Sequence, residues 1–269
     1  FYRWHRFIDD LFNEFKKKLE SYTNDDLFFS GIKIESVKVN ALRENVVTTT
    51  FVDDLLDLSN GLHFGRTGAV KVRYQHLDHE PFSYHIEVRN QTAKTRHGTC
   101  RIFLAPKYDE LGNELNPEEL RRLAIELDKF RVVLNPGANV ISRSSKDSSV
   151  TVSSERKFTE LIQGIGANEH ATEFCSCGWP DHLLVPKGSD KGMDFHLFVM
   201  ITDYLKDLVG DFGEKSMCVD AVSYCGVKDH LYPDRKAMGF PFDRTIKKDK
   251  MSEWLTPNMY DTIVQIVHH

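Results

Sequence analysis

The hydrophobic period of the chain changes once. Over residues 1–20, Trp4, Ile8, Leu11, Phe15 and Leu19 return at three- and four-residue steps, with Arg6, Asp9, Asp10, Lys16 and Lys17 largely between them. That spacing predicts one amphipathic helix, and a surface this apolar needs a second layer to cover it. Beyond Ser30-Gly31 the period becomes two. Ile32, Ile34, Val37 and Val39 predict a strand with a register irregularity at Ser36. Val70, Val72 and Tyr74 alternate with Lys71 and Arg73, Tyr84-Ile86-Val88 follows the turn-like His79-Glu80-Pro81, and Ile102 and Leu104 end at Pro106. Further strands are predicted from Val140 to Ser144, Phe195 to Thr202, Val219 to Tyr224 and Ile263 to Val267. Many short strands set apart by Gly, Pro and Asn clusters predict an antiparallel sandwich or barrel.

Helices interrupt the strands twice. Asn116 can cap a helix that has Pro117 in its first position and Glu119 at capping-box spacing, with Leu120, Leu123, Ala124 and Leu127 along one face. A shorter helix is predicted from Phe158 to Gln163, stopping near Gly164. The chain opens on Phe1-Tyr2-Arg3-Trp4-His5, apolar helix formers without an initiator Met or a capping residue, and so reads as a piece of something longer.

Composition narrows the function classes. The net charge is −5 and no basic stripe runs along the chain, which argues against a nucleic-acid surface. Runs such as Lys16-Lys17-Lys18 and Lys247-Lys248 are solvated faces. The longest apolar run, Leu197 to Ile201, is the length of a buried strand and far short of the roughly 18 residues of a membrane helix.

Candidate chemistry is sparse. Gly164-Ile165-Gly166 lacks the rest of a dinucleotide fingerprint, and no P-loop or nucleophile elbow is present. Asp53-Asp54 is a common surface pair, and Asn90-Gln91-Thr92 is a formal glycosylation sequon. None of the 12 histidines has another four residues on, the spacing that sets two imidazoles on one helix face. His76 and His79 precede Pro81 in a strand and turn, and with His268 and His269 they read as structural or surface residues. His5 shares a helix face with Ile8, Phe12, Phe15 and Leu19, where spacing alone predicts a hydrogen-bonded core histidine.

Of the five cysteines, Cys100 shares a strand face with Ile102 and Leu104 and reads as a buried thiol. The others form two close pairs, Cys175-x-Cys177 and Cys218-x6-Cys225. Residues i and i+2 of extended chain lie about 6.5–7 Å apart, too far to bridge easily, so each member of the first pair can meet one of the second. Each bridge closes more than about 40 residues and is worth roughly 4 kcal/mol in the chain-entropy model. A four-cysteine zinc site is the alternative, although neither pair has the usual C-x2–4-C spacing.

Longer segments carry a resemblance. FYRWHRFID at 1–9, LDHEPFSY at 77–84, RIFLAPKYDELGNE at 101–114, CSCGWPDHLLVPKG at 175–188 and SYCGVKDHLYPDRKAMGFPFDR at 223–244 resemble the arthropod hemocyanin superfamily, and chelicerate hemocyanins above all. The last two are highly specific, and the set runs in order through most of the chain. The resemblance implies a mainly β fold, a seven-stranded antiparallel immunoglobulin-like barrel or sandwich over residues 30–269 with long loops and a few helices. Residues 1–29 would be the remnant of a preceding four-helix dicopper domain. It implies disulfides Cys175–Cys218 and Cys177–Cys225, and makes His5 one of six histidine ligands of two coppers in an intact subunit, a site the 269 residues lack alone. Structural and assembly work for a hemolymph oxygen carrier follows, with the preceding domains and other subunits in hexamers or their multiples as partners and an extracellular location. Within the superfamily, prophenoloxidase, an o-diphenol oxidase, and hexamerin, a storage protein, are the alternatives; the intact carrier itself can hold latent phenoloxidase activity.

Overall fold

The computed structural model describes residues 1–58, 70–152, 178–210 and 234–269. In chain order the strands are β1 (Ile32–Asn40), β2 (Val46–Asp57), β3 (Lys71–His79), β4 (Ser83–Asn90), β5 (Arg96–Pro106), β6 (Ile125–Leu134), β7 (Gly137–Ser144), β8 (Thr151–Val152), β9 (Trp179–Pro180), β10 (Met193–Asp203) and β11 (Met259–His268). A three-stranded sheet runs β1-β4-β7 and a six-stranded one runs β3-β2-β11-β10-β5-β6. The three strands of the first sheet and β11, β10, β5 and β6 of the second are antiparallel to every neighbour within that set. They supply the seven strands that the resemblance implies. The hairpin of β2 and β3 is added at one edge, where Val46–Thr49 of β2 pairs parallel with Gln265–His268 of β11.

Alternation decides which side chains meet between the sheets. In β1, Ile32, Ile34, Val37 and Val39 are buried, and the register shift between Ile34 and Ser36 keeps Val37 on the inner face. They join Ile86 and Val88 of β4 and Ile102, Leu104, Val199 and Ile201 of β5 and β10 in one cluster. Burying each aliphatic side chain stabilises by about 1.5–3 kcal/mol. The opposite face of β5 and β10 is covered as well: Phe103, Phe198 and Met200 pack under Leu27, Leu120, Phe240, Phe242 and Trp254. Asn258 ties these layers together, donating to Leu27 O and Ile201 O at 2.9 Å each and accepting from Phe29 N at 3.1 Å.

Two expectations need correction. Asn116 does cap a helix, with both bonds of the capping box made, but that helix covers only Pro117–Leu120. Leu127, expected on its face, lies in β6, because from Ile125 onward the chain pairs with β5 and buries Leu127 and Phe130. Tertiary pairing overrides a modest helix propensity there. Strand β2 was not expected at all, since Thr48-Thr49-Thr50 and Asp53-Asp54 hide any alternation. The helix expected at Phe158–Gln163 and the strand expected at Val219–Tyr224 lie outside the described residues.

Candidate functional site

Helix α1 (Tyr2–Lys17) forms where the sequence places it, with Lys16 and Lys17 in its last turn complementing the helix dipole. None of its residues is buried. His5 is hydrogen-bonded, as expected, but exposed rather than in a core. Its Nδ1 lies 3.0 Å from the carbonyl oxygen of Phe1, and the Phe1 and His5 rings meet at a tilt with centroids 3.9 Å apart. A carbonyl only accepts, so Nδ1 is the donor in this contact, and Nε2 is the nitrogen left for a ligand. An imidazole whose Nδ1–H is held by a backbone carbonyl is oriented as a metal ligand through Nε2.

The far end of α1 is fixed through one buried carboxylate. Asp243, with its side chain 3% exposed, accepts from Lys16 Nζ at 2.9 Å, from the Tyr22 hydroxyl at 2.9 Å and from Arg244 Nε at 3.4 Å. Burial and the neighbouring Asp243 charge push the Tyr22 phenol well above its ordinary value. Arg122 reaches Asp10 at 3.4 Å as a second strut. Between helix and sandwich runs a groove of about 1020 Å³ lined by Phe12, Lys16, Phe103, Arg121, Ala124 and Phe242. The helix is thus held by polar contacts, while its N-terminal half stands away with Trp4 65% and Phe7 55% exposed.

The four cysteines of the expected disulfides, Cys175, Cys177, Cys218 and Cys225, lie outside the described residues. Cys100 is a buried free thiol, and burial first, then the Asp128 charge, pushes it far above its ordinary range. Among the described residues no group of three or more His, Cys, Asp or Glu side chains is gathered to hold a metal ion, so His5 has no companion ligand there. Asn90 of the sequon is buried: its amide donates to Lys94 O and Leu134 O at 2.9 Å and its oxygen accepts from Thr92.

Sequence reasoning missed a charged cluster on the covered face of the larger sheet. Arg101 of β5 and Lys129 of β6 are register partners, both buried, and both reach Asp234, at 2.7 and 3.4 Å. Asp207 lies 3.4 Å from Arg101 and accepts from Thr202 Oγ1. Burial alone would raise the Asp234 carboxyl, yet the two cations hold it below the usual carboxylate range. A charge at an alternate strand position reads as solvent-facing, and no spacing signal says otherwise.

These features define an immunoglobulin-like β-sandwich with an outlying helix that offers one oriented imidazole. The family model described as hemocyanin, ig-like domain matches residues 21–268, and the chain belongs to the hemocyanin family. It is 67% identical over 269 residues to a hemocyanin C chain of an Aphonopelma species, across all of this chain and 43% of that protein. It superposes on a pseudo-atomic cryo-EM model of a scorpion hemocyanin in its activated state with a TM-score of 0.90 at 54% identity, covering 100% of this chain and 43% of that one. A hemolymph-type prophenoloxidase from a crustacean superposes with a TM-score of 0.77 at 31% identity, over 99% of this chain and 38% of that one. The chain therefore spans less than half the length of these relatives. Among the described residues, no helix is long and apolar enough to cross a membrane.

Proposed function

We propose that this chain is the structural and assembly part of a hemolymph oxygen carrier, with residues 30–269 as the sandwich domain and residues 1–29 completing a four-helix dicopper domain. In this reading α1 presents His5 as one copper ligand, and the observation that carries it is the Nδ1 bond to Phe1 O, which leaves Nε2 as the available nitrogen of a ring on a helix with no buried residue. The copper pair supplies reversible dioxygen binding in the intact protein. One imidazole does not make that site, so the 269 residues alone hold neither the metal pair nor the gas. Their own work is mechanical: Asp243, Lys16 and Tyr22 orient the helix. The preceding domains, and other subunits in hexamers or their multiples, are the partners. The carrier is extracellular and is not itself an enzyme, apart from latent phenoloxidase activity of the intact protein. Prophenoloxidase is the other reading, and identities of 54% and 67% to hemocyanins against 31% to a prophenoloxidase favour the carrier. Cys175–Cys218 and Cys177–Cys225 are proposed to staple the sandwich, which peptide mapping of unreduced digests tests; stoichiometric zinc in their place would overturn the pairing.

Two experiments separate the parts of this reading. The purified chain is loaded with Cu(I), opened to air and followed in the near ultraviolet. No reversible band and fewer than two coppers per chain are expected, and the opposite result would mean that a complete site exists within it. Grafting the chain in place of the matching part of the Aphonopelma protein should restore two coppers and oxygen binding. His5→Gln in that graft should then lose copper, and full retention would remove His5 from the ligand set.

A further inference from the structure

Helix α1 turns its polar side toward the sandwich. Arg6, Asp9, Asp10, Asn13, Lys16 and Lys17 all line the groove between the two, and their spacing puts them on one side of the helix. Trp4, Ile8, Leu11 and Phe15 lie on the other side. The sandwich therefore holds α1 by charge rather than by packing, and it does so at two points. At the C-terminal end Asp243 takes Lys16 and Tyr22, Arg244 donates to Glu20 O at 3.1 Å, and the Ser21 and Thr245 hydroxyls are 2.8 Å apart. Midway along, Asp10 lies between two guanidinium groups, accepting from Arg122 of the sandwich at 3.4 Å and from Arg6 of its own helix at 3.1 Å. Arg122 has a firm footing. Its neighbour Arg121 is buried, donates twice to Glu118 at 2.7 and 2.6 Å, and reaches Phe242 O at 3.4 Å, beside Asp243 itself.

We propose that Arg122 and Asp243 are positioning residues for His5, a two-point mount through which the sandwich sets where this imidazole stands and so tunes oxygen affinity. The role presupposes that His5 is a copper ligand, as proposed above. A rod held at one end swings about that end, and a second contact along its length removes the swing. Lys16 and Asp10 are six residues apart, about 9 Å along the helix, and Lys16 and His5 are eleven apart, about 16 Å. A shift of about 1 Å at Asp10 thus becomes nearly 2 Å at His5. Metal–ligand distances hold to within about 0.2 Å, so a swing of that size matters to a ligand long before it matters to the fold.

The two points differ in kind. Asp243 has its side chain 3% exposed and serves three donors, so it is the pivot. The Arg122 and Asp10 side chains are 36% and 45% exposed, and a pair so open to water adds little to stability. Its removal should leave the sandwich folded and change the attitude of the helix instead. Lys17, on the same side of α1, pairs with Glu14 of its own helix at 2.7 Å and supplies a control that touches charge without touching the mount.

Two measurements test this. In the full 269-residue chain labelled with 5-fluorotryptophan, without copper, the fluorine signal of Trp4, assigned through Trp4→Phe, reports the motion of the free end of α1. Arg122→Gln should sharpen that signal, while Arg122→Lys and Lys17→Gln should leave it as in the unsubstituted chain. In the graft into the Aphonopelma protein, Arg122→Gln should keep two coppers and lower oxygen affinity by about two- to fivefold, the worth of one partly exposed ion pair. Arg122→Lys should restore most of that loss, and Lys17→Gln should cause none. An unchanged Trp4 signal in Arg122→Gln overturns the mount, and so does a Lys17→Gln effect of equal size. A sharpened signal with unaltered oxygen affinity makes Arg122 a strut only and overturns the positioning role. Retention of copper by His5→Gln in the same graft would instead remove His5 as a ligand, while the Trp4 signal still decides the mount.

Discussion

Strand β1 and helix α1 are built from comparably apolar sequence and end in opposite circumstances. Ile32, Ile34, Val37 and Val39 are each 1–3% exposed, whereas Trp4, Phe12 and Phe15 on the helix are 57–65% exposed. The strand finds its covering layer inside the chain, in β4 and the facing sheet. The helix finds only polar handles, at Asp243 and Arg122. Apolar periodicity reports that a face is suited to burial; which partner buries it is a separate fact that the period does not carry. The β2–β3 arm repeats the lesson: its first residues are buried against β11, and its outer half leaves Phe51 and Leu55 exposed.

The contrast can be broken by substitution. Its largest expected effect is at Asp234→Ala, which leaves Arg101 and Lys129 facing each other in a buried site; a loss of about 3–5 kcal/mol in urea unfolding is expected. The same carboxylate should show in acid. Its folded value lies below the ordinary aspartate value of about 3.9, so its contribution is complete above that pH and fades as pH falls toward the folded value. Stability measured from pH 6 downward should therefore drop below about pH 4, and a flat profile would show that the cluster is hydrated in solution.

Next comes Ile86→Ala in β4, expected to cost about 2–5 kcal/mol through lost burial and the cavity left behind. Asn90→Asp follows at about 1–3 kcal/mol, because a carboxylate cannot make the two bonds to Lys94 O and Leu134 O. Those bonds occupy the nitrogen to which a glycan would be joined, so glycopeptide mass analysis of native protein should find Asn90 bare. The smallest effect is expected from Trp4→Ser, within about 0.5 kcal/mol. If Trp4→Ser costs as much as Ile86→Ala, the helix face is covered in solution and the contrast between the two regions fails.

Much of this was legible in the sequence where one residue type enforces one geometry. The irregularity at Ser36 is a true register shift, and Asn116 with Glu119 makes the capping box that its spacing implies. Legibility failed where distant pairing decides. Leu127 fits a helix face equally well, and only the neighbouring β5 makes it a strand residue. Of the candidate site, His5 was marked by the resemblance rather than by spacing, since one imidazole on a helix carries no ligand signature. The charges at Arg101 and Lys129 looked solvent-facing because the segments that cover them, around Asp207 and Asp234, lie roughly a hundred residues away in sequence.

The place of β11 in the larger sheet bears on how the molecule assembles in time. This strand, residues 259–268, lies between β10 and β2, so two parts of the sheet remain separate until it enters. Its partners in β2 are more than two hundred residues upstream, a separation that makes loop closure slow and favours folding over milliseconds to seconds rather than microseconds. Until then β2 and β10 present unpaired backbone edges, the kind that adhere to other chains. Nascent chains stalled before residue 259 should accordingly be the most aggregation-prone species on the pathway, and supplying the missing strand as a peptide should rescue them.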